Sequence, residues 1–337
     1  MEPMPPHRQA PLWGALLLLI AALPAAACDL CALYSSQEAR QPAQGLYGGA
    51  FSRYSDLAAL CHEGTEMEND EDQYVHSLST QLLIGYRFSG RFSLQANLPV
   101  LRRTYQRPGH EGREKGALSG LGDAAVLARW RLGERVRGED LMVWTLSAGV
   151  KLPTGKTERL AGEAGHEEEV VAPLPKAAAP LRTAHGDEGL GVHDHDLALG
   201  SGSFDGILGL AGFWGRHRLF ATLDLQYALR REGDHHYRFA NDLTWSLNPG
   251  YYSLLDHHRS LGLGLGLSGE IKGEDEVHGA SAEDTALTAV YLGPTLSFSR
   301  GDHLAADAAL ELPLVQDNAA FQVVPSYRLK LGVTGRF

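Results

Sequence analysis

The sequence predicts an all-β protein, a transmembrane antiparallel up-and-down β-barrel of about twelve strands with a cleaved N-terminal signal peptide. Three observations carry this reading. The closing stretch Tyr327-Arg-Leu-Lys-Leu-Gly-Val-Thr-Gly-Arg-Phe337 alternates with a period of two, placing Tyr327, Leu329, Leu331, Val333 and Phe337 on one face and Arg328, Lys330, Thr334 and Arg336 on the other. The same rhythm of leucine and aromatic residues against polar ones recurs along the chain, and no second apolar run is long enough for a membrane helix. The gaps between rhythmic segments alternate between short and long, as in barrels with tight periplasmic turns and long external loops.

The start of the chain fits an exported protein. His7 and Arg8 precede an apolar core from Ala15 to Leu23, and Pro24-Ala25-Ala26-Ala27 supplies an A-x-A cleavage site. Residues 1–27 are therefore expected to be removed, leaving Cys28 at the mature N-terminus. Lipoprotein signals also place Cys directly after the cut. Here Ala25 stands where a larger aliphatic residue is usual, so the match to lipidation is partial. Residues 28–44 read as a periplasmic arm carrying Cys28-x-x-Cys31, and residues 45–337 as one barrel domain. A formal charge of −11 excludes a nucleic-acid surface, which has to be basic, and three Cys are too few for a disulfide scaffold.

Taken in order, the first strand is expected near 45–54, followed by an acidic loop at 55–74 that contains Cys61. The second strand carries Leu78, Leu82, Ile84, Tyr86 and Phe88 on its lipid face, and the tight turn Ser89-Gly-Arg91 leads to the third, with Phe92, Leu94, Ala96, Leu98 and Val100. A Gly-rich connection at 104–119 precedes the fourth strand, in which Val126, Ala128 and Trp130 oppose Arg129 and Arg131. The fifth sets Met142, Trp144, Leu146 and Val150 against Thr145, Ser147 and Lys151. Periodicity then stops over a long external loop at about 153–196, rich in Pro, Gly and His. Seven strands follow, near 199–214, 218–229, 237–247, 260–271, 287–299, 303–314 and 327–337. The long gaps fall at the odd connections 55–74, 104–119, 153–196 and 272–286 and the short ones at even connections, which supports the count.

Three segments carry a resemblance: Gly120-Leu-Gly-Asp123 opening a strand, Lys151-Leu-Pro-Thr-Gly155 closing the next, and Leu199-Gly-Ser-Gly-Ser-Phe-Asp-Gly-Ile-Leu-Gly-Leu210 after the long loop. In this order and spacing they resemble the outer-membrane transporter family named after the meta pathway of phenol degradation. The resemblance implies an outer-membrane barrel with a transport role. It implies no defined substrate, no cofactor and no catalytic residues.

The inward face collects Gln81, Gln95, Asn97, Arg129, Arg131, Asp224, Gln226, Arg238, Asp242, Asp307, Glu311, Arg328 and Lys330. Twelve strands lie between the filled eight-stranded barrel and the open sixteen-stranded porin. Two readings follow: a narrow lumen that passes small hydrophilic or ionic solutes by passive diffusion, or a barrel knitted shut by internal ion pairs. A reading of another class makes the barrel a non-conducting scaffold that binds a metal or a redox partner through Cys28 and Cys31. A local disulfide or idle thiols explain the same pair. His193-Asp-His-Asp196 offers imidazole and carboxylate to a divalent cation; such residues also form anionic surfaces around the cations of lipopolysaccharide. His258-Arg-Ser260-Leu-Gly262 has the H-x-S-x-G spacing of outer-membrane phospholipase A but falls on a short periplasmic turn, so no enzyme is expected. The expected partners are outer-membrane lipid and lipopolysaccharide, a small solute, and the barrel-assembly machinery, which would read the terminal Phe337.

Overall fold

The computed structural model describes residues 44–109, 112–163, 191–282, 285–301 and 303–337. The expected signal peptide and the expected arm with Cys28 and Cys31 lie outside the described residues, as does the middle of the long loop. Twelve strands form the wall: β1 (Gly45–His62), β2 (Tyr74–Arg87), β3 (Phe92–Gly109), β4 (Ala125–Arg137), β5 (Asp140–Lys151), β6 (Asp205–Arg216), β7 (Leu219–Leu229), β8 (Asp242–Leu255), β9 (Arg259–Lys272), β10 (Leu287–Arg300), β11 (Leu304–Asn318) and β12 (Gln322–Arg336). Each pairs antiparallel with its neighbours in chain order, and β1 pairs with β12 from Tyr47↔Arg336 to Cys61↔Gln322, closing the ring. Closure leaves no unpaired edge among the spanning segments, the condition for putting backbone amides in lipid.

The alternation predicted for β12 is present. Leu329, Leu331 and Val333 are exposed on the outer face, while Arg328, Lys330 and Thr334 are buried inside. At the short-turn end, Tyr86, Phe88, Phe92 and Trp130 form a chain of ring contacts at 5.0 to 6.3 Å across β2, β3 and β4. These rings are exposed on the outer face, where amphipathic aromatics mark the edge of the hydrocarbon. Inside, Tyr47 lies over Gly85 and Phe51 over Gly332; a Cβ at either glycine would fall within 2.5 Å of a ring carbon. The two glycines let large rings lie flat against the wall rather than stand across the lumen.

Several segments differ from expectation. β1 continues eight residues past Tyr54, so Cys61 lies buried in the wall rather than in a loop. Register shifts at Asp56/Leu57 and Leu57/Ala59 break the alternation there, which hides the strand from a period-two reading. The third connection is not a loop but a hairpin: β3 runs on to Gly109, and a return strand, Gly112–Leu121, pairs with it from Val100↔Leu121 to Gly109↔Gly112. β8 begins at Asp242, and Tyr237–Arg238 instead joins Asp275–Val277 and Ala280–Ala282 in a small sheet at the long-loop end. The eleventh connection, 319–321, is short although it lies on the long-loop side.

Candidate functional site: the lumen and its outer cap

Residues 152–163 and 191–204 fold into the long-loop mouth of the barrel. Val192 and Leu197 are fully buried against Leu60 of β1, Val75 of β2, Tyr105 of β3 and Val323 of β12. Backbone contacts seal the seam: Val323 donates its N–H to the carbonyl of Gly191 at 2.8 Å, and Gly191 donates to Oε1 of Gln73 at 2.7 Å. The guanidinium of Arg103 donates to the carbonyl oxygens of Asp196 and Ala198, both at 2.5 Å. Arg107 and Arg159 pair with Asp194 at 3.1 and 3.3 Å. The described ends of the predicted external loop are thus an inward-folded cap.

The three resembling segments meet at the hinge of this cap. Asp123 accepts from the backbone N–H of Gly155 at 2.9 Å, the N–H of Ser201 at 2.9 Å, the Ser201 hydroxyl at 2.8 Å and the Lys151 ammonium at 2.8 Å. Thr154 receives the N–H of Ala124 and donates to the carbonyl of Gly122. Gly155 and Gly200 touch backbone to backbone, a Cβ on Gly155 reaching 2.7 Å from the Gly200 Cα. Lys151 also pairs at 2.6 Å with Asp205, which is fully buried and takes Arg230 at 3.1 Å; Arg230 continues to Asp242. Burial works to raise the Asp123 carboxyl, but the Lys151 charge and the donated hydrogen bonds override it and hold its pKa below the ordinary carboxylate value.

Below the cap the wall is polar. Arg87, Arg129 and Arg131, on β2 and β4, are buried at the lumenal surface with Ser93, Gln95 and Asn97 of β3 between them. The other half of the ring carries Asp224 on β7, Asp242 on β8, Glu270 on β9, and Asp307 and Glu311 on β11, all buried. Arg328 and Lys330 on β12 serve this acidic side. The Arg328 guanidinium sits 4.1 Å over the ring of Tyr291 and bonds Glu270, reaching past β11 and β10 to do so. Lys330 and Ser268 both donate to Oε1 of Glu311, each at 2.6 Å. Near the short-turn end Val143, Phe213, Phe220 and Tyr252 pack together. A recess of about 390 Å³ opens there against Phe213, Tyr252 and Ser260.

Of the residues expected inside, Asn97, Arg129, Asp224, Gln226, Asp242, Asp307, Glu311, Arg328 and Lys330 are buried inside the wall and Gln81 is half-buried there. Arg238 is a correction: it lies in the small outer sheet, its side chain 37% exposed and bonded to Glu276 at 2.9 Å. The segment 230–241 belongs to a cross-connection held by Asp275, which accepts from the Tyr237 hydroxyl and the Ala240 N–H, and not to the wall. Phe337 is 84% exposed at the short-turn rim, its N–H on the carbonyl of Leu46. Ser260 turns its hydroxyl to Ser299 at 2.6 Å. His193 and His195 are buried in the cap, and the structure adds a residue the sequence reading missed, Glu163, whose Oε1 lies 3.1 Å from Nδ1 of His195 and accepts the His195 N–H at 2.8 Å. Burial opposes ionisation of both, yet the hydrogen bond and charge of His195 lower Glu163 to about 2, and Asp196 and Glu163 raise His195 to about 9.

No protein-family model matches the chain, and no curated protein is significantly similar to it. Among solved structures, an outer membrane channel from Pseudomonas putida F1 aligns with a TM-score of 0.58 at 18% identity, covering 88% of this chain and 96% of that one. The β-domain of the Bordetella autotransporter BrkA aligns over 88% of this chain and 100% of that one, with a TM-score of 0.39 at 13% identity. A monoaromatic hydrocarbon channel, CymD, aligns over 94% and 95% with a TM-score of 0.38 at 7% identity. The first alignment shows a shared outer-membrane barrel fold; the other two are too distant in shape to add to it. None of them establishes the narrower transporter family that the three segments resemble.

Proposed function

We propose that this barrel is an outer-membrane channel that passes small hydrophilic or ionic solutes by passive diffusion, with an outer mouth opened and closed by the cap. The observation that carries the reading is the division of the lumenal wall, arginines on β2 and β4 against carboxylates on β7 to β11. Burying this many charges costs several kcal/mol for each ion that is not well paired, so a barrel needing only to be a rigid anchor is better filled with apolar side chains. A wall with opposite signs on its two halves sets a transverse field that aligns dipolar and zwitterionic solutes and lets ions of either sign exchange hydration for side chains. Gly262, Gly264 and Gly266 face inward between Leu261, Leu263, Leu265 and Leu267 on the lipid side, and the side chains of Phe220, Asn248, Thr295 and Ser297 lie over them. In the conformation described, the cap occupies the outer mouth, so passage requires residues 191–204 to move.

Liposome swelling tests this. Purified barrel reconstituted in liposomes admits small sugars, amino acids and salts, and excludes solutes of larger size, with rates rising steeply as size falls. Liposomes that respond no faster than protein-free ones to any of these solutes would falsify the channel reading and favour the barrel closed by its own ion pairs.

A further inference from the structure

We infer that Glu163, His193 and His195 form a binding site for a late first-row divalent cation, with zinc the best fit. One ring nitrogen from each histidine and one carboxylate oxygen of Glu163 lie within 4.8 Å of one another. Both histidines are buried, and their rings stack with centroids 5.3 Å apart and planes 18° from parallel. Glu163 stands 32 residues away in sequence, so the trio is assembled by the fold and is not a local run of like residues. Two imidazoles and one carboxylate are the donor set that suits zinc, leaving a fourth tetrahedral position to water, and they disfavour calcium and magnesium, which take oxygen ligands.

The surroundings carry the features that orient metal-binding imidazoles. Nε2 of His193 is 3.2 Å from the carbonyl oxygen of Phe321, and Nε2 of His195 is 3.6 Å from Oδ1 of Asp196. Asp196 is itself fixed by the N–H of His193 at 3.1 Å. Such outer partners hold the ring angle and leave the other nitrogen to the metal. For His195 that nitrogen is Nδ1, already 3.1 Å from the Glu163 oxygen, close to the spacing of two ligands on one tetrahedral ion. A bound ion ties the 152–163 segment to the 191–204 segment and, through Phe321, to the turn between β11 and β12. That it also holds the cap shut rests on the channel reading; that it binds does not.

The test uses the untagged, refolded full-length barrel in detergent carrying Cys28→Ser, Cys31→Ser and Cys61→Ser, so that no thiolate competes for metal. Titration with Zn²⁺ by calorimetry is expected to show one tight equivalent per chain, and Co²⁺ is expected to give the visible absorption of a tetrahedral site. His193→Ala with His195→Ala abolishes both signals, and Glu163→Gln weakens affinity by roughly 10- to 100-fold, with heat-modifiable gel mobility showing that each variant still forms a barrel. Absence of a tight equivalent in the parent protein overturns the inference, as does tight binding that survives loss of both histidines. Neither outcome depends on conductance, so the site and the channel fail separately.

Discussion

Two of the ion networks in this barrel are built from the same residue types but do different work. Around Asp123 the carboxylate gathers backbone N–H groups of Gly155 and Ser201 as well as the Lys151 ammonium, so it fixes the path of the chain where the cap leaves the wall. Around Glu270 and Glu311 the partners are side chains of Arg328, Lys330, Tyr291 and Ser268 on strands already held by their ladders. Removing a group from the first network should move backbone. Removing one from the second should change the field in the lumen and leave the backbone in place.

Substitutions separate the two networks. Asp123→Ala leaves the backbone N–H groups of Gly155 and Ser201 without their acceptor and Lys151 with Asp205 alone, and should destabilise the cap by about 3–5 kcal/mol, seen as rapid proteolysis within 191–204 while the barrel stays resistant. Leu197→Ala, in the apolar contact of the cap, should cost about 2–4 kcal/mol and give the same cleavage more slowly. By contrast Lys330→Met should leave proteolysis unchanged and shift the reversal potential in a salt gradient toward cations, since one lumenal positive charge is gone while Glu311 stays. An unchanged reversal potential would mean that this network does not line the route. The smallest effect is that of pH on the Asp123 node. Its folded pKa is depressed, so its contribution is present above the ordinary carboxylate value and is lost as pH falls through the folded one. On acidification, cleavage of the cap should therefore rise only below about pH 4, and a rise beginning near pH 6 as pH falls would point to a different group; on the alkaline side the contribution of His195, raised to about 9, is lost as pH climbs from about 6.5 through that value.

Much of the wall was legible because lipid enforces a period of two: Leu329, Leu331 and Val333 had to face outward, which turned Arg328 and Lys330 in. What was hidden follows from where that constraint lapses. The outer half of β1 is bulged, and the hairpin of β3 with Gly112–Leu121 carries Arg102, Arg103, Arg107 and Glu114, so neither shows an apolar stripe. The strand expected to end at 247 runs on as β8 to Leu255, with Pro249 in the wall opposite Ala221 of β7 and its missing donor where the ladder to β9 is interrupted between Leu247 and Gly250. The three glycine-rich segments were visible as an ordered set, but each read alone as turn chemistry. Their meeting at Asp123 joins residues up to 78 apart, a distance that local pattern cannot bridge. Glu163 carried no signal at all, because its partner histidines lie beyond residues 164–190 in sequence.

In the proposed channel, a cap clamped by Asp123 closes the outer mouth of a charged lumen. Single-channel recording in planar bilayers, comparing the parent protein with Asp123→Ala, tests it most directly. Brief, small openings are expected in the parent and long, larger ones in the variant, at equal amounts of folded barrel. Equal conductance and dwell times in the two proteins, with the cap shown by proteolysis to be released in the variant, would contradict it.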